Sequence, residues 1–436
     1  MSTAFKTFRE GEKIVHLDLK GAPPKLIFYR QFFPFLNALG VTGILMEYED
    51  MFPYTGILKS VSKVYSYTDQ EINQLTELAE QNDLEIIPLV QTFGHMEFVL
   101  KHNMFWHLKE VPTKDDSICP TDRESQALIE EMITQIKKLH PKSRRIHIGA
   151  DEAYQVNKCG RCRYIKRENN NIILEHISKI ASIALTKCGF SEVLAWYDMF
   201  EKATIKNLRE YNFHELIVPV IWGYKEDVTQ DNYFPRGLLE KFSLVFDKVY
   251  FAGAYKGAMK QDSQLIDNNR YLNNLKSYVK YFKQNEECFK NSQMVLSGTI
   301  LTGWSRFSHH QSLCELLPAA MFSLVQELVY LQDVNQNVDV KISQRTRDIM
   351  TSFPGSDLFY LIEELREIYT DVEANGYKSD NGRLQEIKGR IEVVFKKYFY
   401  EDTLFEWQMK NCPNVQQFSG YMSRISRRVK MLKSMF

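Results

Sequence analysis

The sequence predicts an α/β protein, a (β/α)8 TIM barrel over residues 1–330 followed by a C-terminal α-helical region over 331–436. Three observations carry that expectation. Short apolar or β-branched runs alternate with helix-like stretches, as parallel β/α construction requires. Eight such runs fall within about 310 residues, the size range of the closed barrel. Beyond residue 330 the strand signal fades and only helical periodicity continues.

The first strand is expected at Ile14–Leu19, and the second at Val41–Glu47, after a helical stretch around Phe32–Leu39 that stops at Gly40. Thr68 and Glu71 form a capping box opening a helix toward Asp83, and the third strand, Leu84–Val90, follows. Thr121 and Glu124 read as a second capping box. Its helix carries Leu128, Ile129, Met132, Ile133 and Ile136 on one face and ends near His140-Pro141, where proline cannot continue it. Strand four is then Arg145–Gly149. A helix over Ile172–Lys187 ends at Gly189 and leads to strand five, Glu192–Tyr197. Strands six, seven and eight are Leu216–Trp222, Lys248–Ala252 and Met294–Leu301. In the C-terminal region Ser356–Thr370, Arg383–Tyr398 and Val415–Met435 have helical periodicity. The last of these is basic, with Arg424, Arg427, Arg428, Lys430 and Lys433, and reads as a solvated helix face. A doubly wound open sheet is the architectural alternative. It would place a glycine-rich phosphate turn after the first strand, and Lys20-Gly21-Ala22-Pro23-Pro24 is not one.

Composition narrows the function classes. Lysine plus arginine and aspartate plus glutamate balance at 55 each, so the net charge is zero and gives no electrostatic reason to expect nucleic acid. No apolar run is long enough to cross a bilayer, so no membrane partner is expected. The polar N-terminus MSTAFKTFREGEK has no signal-peptide core, and no Asn-x-Ser/Thr site occurs. The expected location is the cytoplasm, the nucleus, or both. Of the seven cysteines, Cys159 and Cys162 form a lone C-x-x-C without a second ligand pair at zinc-site spacing. They read as incidental thiols, so neither a metal nor a cofactor is expected. The helical region could bury against the barrel, form a homodimer contact, or close a pocket from a partner chain.

A TIM barrel does its chemistry at the C-terminal ends of its strands. The expected ends offer His16 and Asp18, then Glu47, Glu49 and Asp50, then Gln91 to His95, then His147 to Glu152. The later ends offer Trp196-Tyr197-Asp198, Trp222-Gly223-Tyr224, Tyr255, and Trp304-Ser305-Arg306. Trp196, Trp222, Tyr255 and Trp304 thus share one rim, where flat side chains stack on sugar rings; plugging the barrel top is the simpler use. The adjacent pair Asp151-Glu152 follows the small residues Gly149-Ala150, so both acids can reach the mouth as the chain turns. An ordinary retaining glycosidase needs a second carboxylate about 5 Å from its acid/base. Strands seven and eight end without an obvious acid. A substrate whose own 2-acetamido oxygen attacks the anomeric carbon would need no protein nucleophile.

His147-Ile148-Gly149-Ala150-Asp151-Glu152 resembles the H-x-G-G-D-E motif of glycoside hydrolase family 20, the β-N-acetylhexosaminidases. Further segments resemble the hexosaminidase D branch: His16 to Pro23, Glu47 to Asp50 with Pro53-Tyr54, Gln91 to His95, and Thr302 to Arg306. The similarity spans roughly residues 12 to 320. It implies an exo-acting retaining enzyme that removes terminal β-linked GalNAc or GlcNAc through an oxazolinium intermediate, without a cofactor. Residue by residue, it implies Glu152 as acid/base, Asp151 as the group orienting the acetamide, and Tyr255 as donor to the acetamide oxygen. Trp196, Trp222 and Trp304 would wall the sugar, with His95 and His147 supporting the acids. Two departures stand out. Ala150 replaces the second glycine of the motif. Lys20-Gly21 stands where lysosomal members carry an arginine that grips sugar hydroxyls, which leaves Asp18, Glu47, Asp198 and Arg306 as candidate sugar contacts. Burial and the charge of Asp151 are expected to raise the pKa of Glu152, giving a mildly acidic optimum. A two-carboxylate barrel glycosidase and a non-catalytic sugar-binding protein are the competing readings.

Overall fold

The computed structural model describes residues 3–261, 263, 266–334, 339–375 and 381–411. Eight parallel strands close into a barrel: β1 Glu12–Asp18, β2 Gly43–Glu47, β3 Glu85–Leu89, β4 Arg145–His147, β5 Glu192–Trp196, β6 Val218–Trp222, β7 Lys248–Lys256 and β8 Val295–Gly303. Each strand pairs with its neighbours in sequence, and β8 closes the ring on β1 with Glu12 opposite Gly298 and Ile14 opposite Ile300. The seam between β3 and β4 is narrow, a single pairing of Leu89 with His147. A TIM barrel results, with the layered interior that inward-facing side chains produce. Ile14, Leu45, Ile87, Leu194, Val220 and Ile300 fill that interior, and Trp196 and Trp222 top it. Arg145 plugs the opposite end, bonded to Glu12, Glu85 and the Tyr250 hydroxyl.

The strands begin and end within a few residues of their expected bounds, except that β7 and β8 continue to Lys256 and Gly303. Gly253 interrupts the apolar run of β7 without ending its hydrogen-bond ladder, which needs only backbone. The helix Asp69–Glu80 opens on the complete Thr68–Glu71 capping box. The second box does not form. Asp122, whose side chain accepts the Glu124 amide, caps the helix Arg123–Leu139. Thr121 faces the thiols of Cys119 and Cys162 instead.

The helix Met321–Gln332 completes the eighth β/α unit and packs on β7. Four helices follow: Asp339–Ile349, Ser356–Asn375, Asn381–Tyr398 and Glu401–Asn411. They dock beside the loop after β1, where the Lys25 amide donates to the Tyr398 carbonyl at 2.7 Å and Thr403 Oγ1 to the Gly21 carbonyl at 2.8 Å. The expected helix Val415–Met435, with its basic cluster, lies outside the described residues. No described helix is long and apolar enough to cross a membrane.

Candidate active site

β4 is three residues long, and the chain turns sharply beyond it. Gly149, Ala150 and Glu152 all have left-handed backbones, with φ of 61°, 65° and 48°. Each non-glycine residue held there costs about 1 kcal/mol or more, so neighbours must hold the turn. The Gly149 amide donates to His147 Nδ1 at 2.9 Å, and the Gly149 carbonyl accepts the Trp196 amide at 3.1 Å. The Glu152 amide donates to Asp198 Oδ2 at 2.9 Å. Position 149 admits no side chain, because a Cβ would stand 2.0 Å from Gln91 Oε1. The turn brings both acids to the barrel mouth. Asp151 is buried, whereas the Glu152 side chain remains 33% exposed.

The acids open into a cavity of about 230 Å³ at the C-terminal ends of the strands. Trp196, Trp222, Tyr224, Trp304 and Phe307 form its aromatic wall, with Gly257 and Ala258 leaving room beside them. Lys20, Gln91, His95 and Arg306 add polar groups. Trp196 lies 6.1 Å from Trp304 and 4.3 Å from His147, ring centre to ring centre. Asp151 Oδ1, Gln91 Oε1 and Trp196 Nε1 are buried there without a hydrogen-bond partner, and the Tyr224 hydroxyl lies beside Thr302 and Trp304. Such atoms can hydrogen-bond a polar group that enters the cavity.

The charges are strongly coupled. His95 Nε2 stands 3.1 Å from Glu152 Oε2 and 3.5 Å from Asp151 Oδ2. Burial disfavours its charge, but Asp151 and Glu152 outweigh that and raise the His95 pKa to about 10. The His95 hydrogen bond, joined by the Tyr154 hydroxyl at 2.5 Å, holds Glu152 below the usual carboxylate range despite partial burial. Burial pushes Asp151 up to about 7, with Asp198, Glu152 and Glu47 adding to the rise and His95 opposing it. Burial thus favours a proton on Asp151 over one on Glu152. This reverses the expectation that burial would raise Glu152, because Asp151 is the deeper acid and Glu152 has the better donors.

A model of the glycosyl hydrolase family 20 catalytic domain matches residues 37–318. The chain belongs to glycosyl hydrolase family 20. It is 37% identical to human hexosaminidase D over 95% of this chain and 94% of that protein. It is 38% identical to the bovine hexosaminidase D over 76% of this chain and 95% of that one. Among solved structures, the Flavobacterium johnsoniae chitobiase superposes with a TM-score of 0.61 at 12% identity, covering 96% of this chain and 64% of that one. A Vibrio harveyi exo-β-N-acetylglucosaminidase of family 20 does so at 0.55 and 16%, over 78% and 58%. At these identities the structural likeness speaks for the barrel alone.

Within this family 20 hydrolase, the rim brings together Asp151, Glu152, His95, Trp196, Trp222, Trp304 and Arg306 as expected from the strand ends. It does not bring Tyr255 there. That side chain is fully buried and donates to the His16 carbonyl at 3.2 Å. Its place on the cavity wall is taken by Tyr224, two residues beyond the Trp222 that ends β6. Asp18, Glu47 and His147 also stay out of the wall. Asp18 accepts the Ser305 amide at 2.7 Å and pairs with Lys20 at 3.1 Å. Glu47 holds His16 at 2.9 Å and Gln91 at 3.2 Å; burial would raise its pKa, but Lys20 and His16 keep it low. His147 lies under Trp196, and burial lowers it to about 3, so it is neutral. Asp198 is not in the cavity wall; its oxygens accept the Glu152 amide at 2.9 Å and Trp222 Nε1 at 3.0 Å, so it holds the acid and one tryptophan in place.

Lys20 and Gln91 were legible only as members of motif segments, and the cavity shows them facing the ligand space. Arg306, three residues beyond β8, lines the cavity beside Lys20. The Arg306 guanidinium lies against Gly21, where a Cβ would come within 1.9 Å of Nη2. Glu406, from the C-terminal helices, fixes it at 2.5 Å.

Proposed function

We propose that this family 20 hydrolase is a retaining exo-β-N-acetylhexosaminidase that removes terminal β-linked GalNAc or GlcNAc by substrate-assisted catalysis. One observation carries the reading: among the described residues, Asp151 and Glu152 are the only carboxylates in the cavity wall. Asp151 is Glu152's chain neighbour and shares the same His95 nitrogen with it, at 3.5 and 3.1 Å, so the two acids lie on one side of the mouth and no further carboxylate faces them as a nucleophile. The kinship with hexosaminidase D supports the N-acetylhexosamine class of substrate.

The residues divide the work. The acetamide methyl packs among Trp196, Trp222 and Trp304, and its N–H donates to Asp151. The Tyr224 hydroxyl donates to the carbonyl oxygen, in the role expected of Tyr255. That oxygen attacks C1 while Glu152 gives its proton to the leaving oxygen, and the C1–O glycosidic bond breaks. The resulting oxazolinium is stabilised by anionic Asp151. Glu152, now a carboxylate, takes a proton from water, whose oxygen attacks C1 from the vacated side; the bond from C1 to the acetamide oxygen breaks, which regenerates the acetamide and restores the original configuration.

Docking itself corrects the proton distribution. Asp151 Oδ1 has no partner in the free site, and an acetamide N–H would supply one. A hydrogen bond to the anion lowers its pKa, so the proton moves to Glu152 as the substrate seats.

Hydrolysis of chromogenic β-GlcNAc, β-GalNAc, β-glucoside and β-galactoside by wild type and Glu152→Gln tests the reading. Cleavage confined to the N-acetyl sugars, and largely lost in the variant, is expected. Equal cleavage of the plain glycosides would refute acetamide participation, and silence on every sugar would point to a binding protein.

A further inference from the structure

Outside the cavity, three thiols and one carboxylate converge where the loop after the acid pair meets the antiparallel ribbon Lys109–Val111 and Lys114–Ile118. Cys159 caps, and Cys162 lies within, the short helix Gly160–Ile165 that follows the acid pair; Glu110 comes from the ribbon and Cys119 from the residue after it. One ligand atom from each lies within 4.8 Å of every other. Cys119 Sγ stands 3.5 Å from Cys159 Sγ and 3.6 Å from Cys162 Sγ, and Cys162 Sγ is 3.3 Å from Glu110 Oε2. A zinc ion with Zn–S near 2.3 Å and Zn–O near 2.1 Å has tetrahedral edges of roughly 3.5–3.8 Å. The measured edges fall on or just under that range.

From these contacts we infer that Cys119, Cys159, Cys162 and Glu110 form a structural zinc site. Thiol hydrogen bonding is the simpler use of the cluster, and it leaves Glu110 unexplained. Glu110 is completely buried, with Oε1 accepting the amides of Lys158 at 2.5 Å and Cys159 at 2.9 Å. Those two bonds aim Oε2 into the thiols, where a lone S–H is a poor partner for a buried carboxylate and a divalent cation a good one. The surroundings fit an outer shell. The Thr121 hydroxyl lies 3.1 Å from Cys162 Sγ, the Cys162 amide donates to Cys159 Sγ at 3.3 Å, and the Arg161 guanidinium stands beside Cys119. Cys159 is half-buried, which leaves an entry path. Thiolate-rich tetrahedra select zinc over the harder divalent ions. Spacing alone could not find the site, since Cys119 lies 40 and 43 residues before its partners and the fourth ligand is a glutamate.

The ion would staple two active-site loops together. The ribbon is bonded to the segment carrying His95 through Met96 N to Asp116 O and Ile118 N to Phe93 O, at 3.0 and 3.1 Å. The other loop carries Glu152 and Tyr154. Cross-linking them would keep His95 in register with Glu152.

The test is metal analysis of the full chain produced in zinc-supplemented medium and purified without chelator. One zinc per chain is expected by mass spectrometry, released stoichiometrically when a mercurial modifies the thiols. The cobalt-exchanged protein should show thiolate-to-cobalt charge transfer and the intense d–d bands of a tetrahedral ion, lost in Cys162→Ser and weakened in Glu110→Gln. Should those variants fail to fold, zinc release from wild type still decides. Thiols that titrate without zinc release, or a non-reduced peptide map linking Cys119 to Cys159 or Cys162, would overturn the inference. These readouts do not involve glycosidase activity.

Discussion

Asp198 accepts the backbone amide of Glu152 at 2.9 Å, while its other oxygen accepts Trp222 Nε1 at 3.0 Å. One carboxylate thus sets the position of the acid and of one tryptophan of the sugar wall. In Asp198→Asn one of those N–H groups would face an NH2. We expect kcat to fall by about 10–100-fold, as ångström-scale misplacement of a reacting group does, with the thermal midpoint little changed. Steady-state kinetics with circular dichroism melts check this, and an unchanged kcat would remove Asp198 from the positioning scheme.

The two tyrosines separate cleanly. Tyr224 stands on the cavity wall with its hydroxyl beside Thr302 and Trp304, whereas Tyr255 donates to a backbone carbonyl beneath it. Tyr224→Phe should lower kcat by about 10–100-fold on N-acetyl substrates with little change in stability. Tyr255→Phe should cost about 1 kcal/mol of stability, from one lost buried hydrogen bond, and leave kcat nearly intact. The reverse pattern would restore Tyr255 to the acetamide.

The pH profile follows from the coupled acids. Productive binding needs Asp151 ionised and Glu152 protonated, the minor arrangement of the singly protonated pair. That pair gains its second proton below the ordinary carboxylate range, where Glu152 titrates, and loses its last as Asp151 ionises near 7. Both directions remove the productive form. A bell-shaped kcat/KM with a mildly acidic maximum, falling as pH rises through about 7, is therefore expected. His95, with a pKa of about 10, stays charged throughout. Replacing it with asparagine should raise both carboxyl pKa values and move the bell alkaline; a fixed profile would exclude it from the charge network.

Gly21 tests how the C-terminal helices reach the site. Its φ is 73°, and a Cβ there would collide with the Arg306 guanidinium that Glu406 holds. Gly21→Ala should cost about 1–2 kcal/mol for the left-handed backbone, read from the urea midpoint. It should also raise KM by displacing Arg306 from the cavity wall.

Local pattern was enough for the barrel. Each strand is a short apolar run and each helix an amphipathic one, and such periodicities depend on residues a few positions apart. Position along a strand then placed Asp151, Glu152, Trp196, Trp222 and Trp304 at the mouth. The short span of β4 with its left-handed turn, the choice of Tyr224 over Tyr255, and the inward reach of Lys20 and Gln91 were settled by barrel tilt and register between distant strands. The proton distribution was also a tertiary matter. His95 lies 57 residues from Glu152 and Asp198 lies 46 residues from it, and a pKa is set by whatever charge and burial the fold brings within a few ångströms. The C-x-x-C motif makes the same point, since its thiols acquire a third sulfur and a buried carboxylate only once the ribbon folds against the loop.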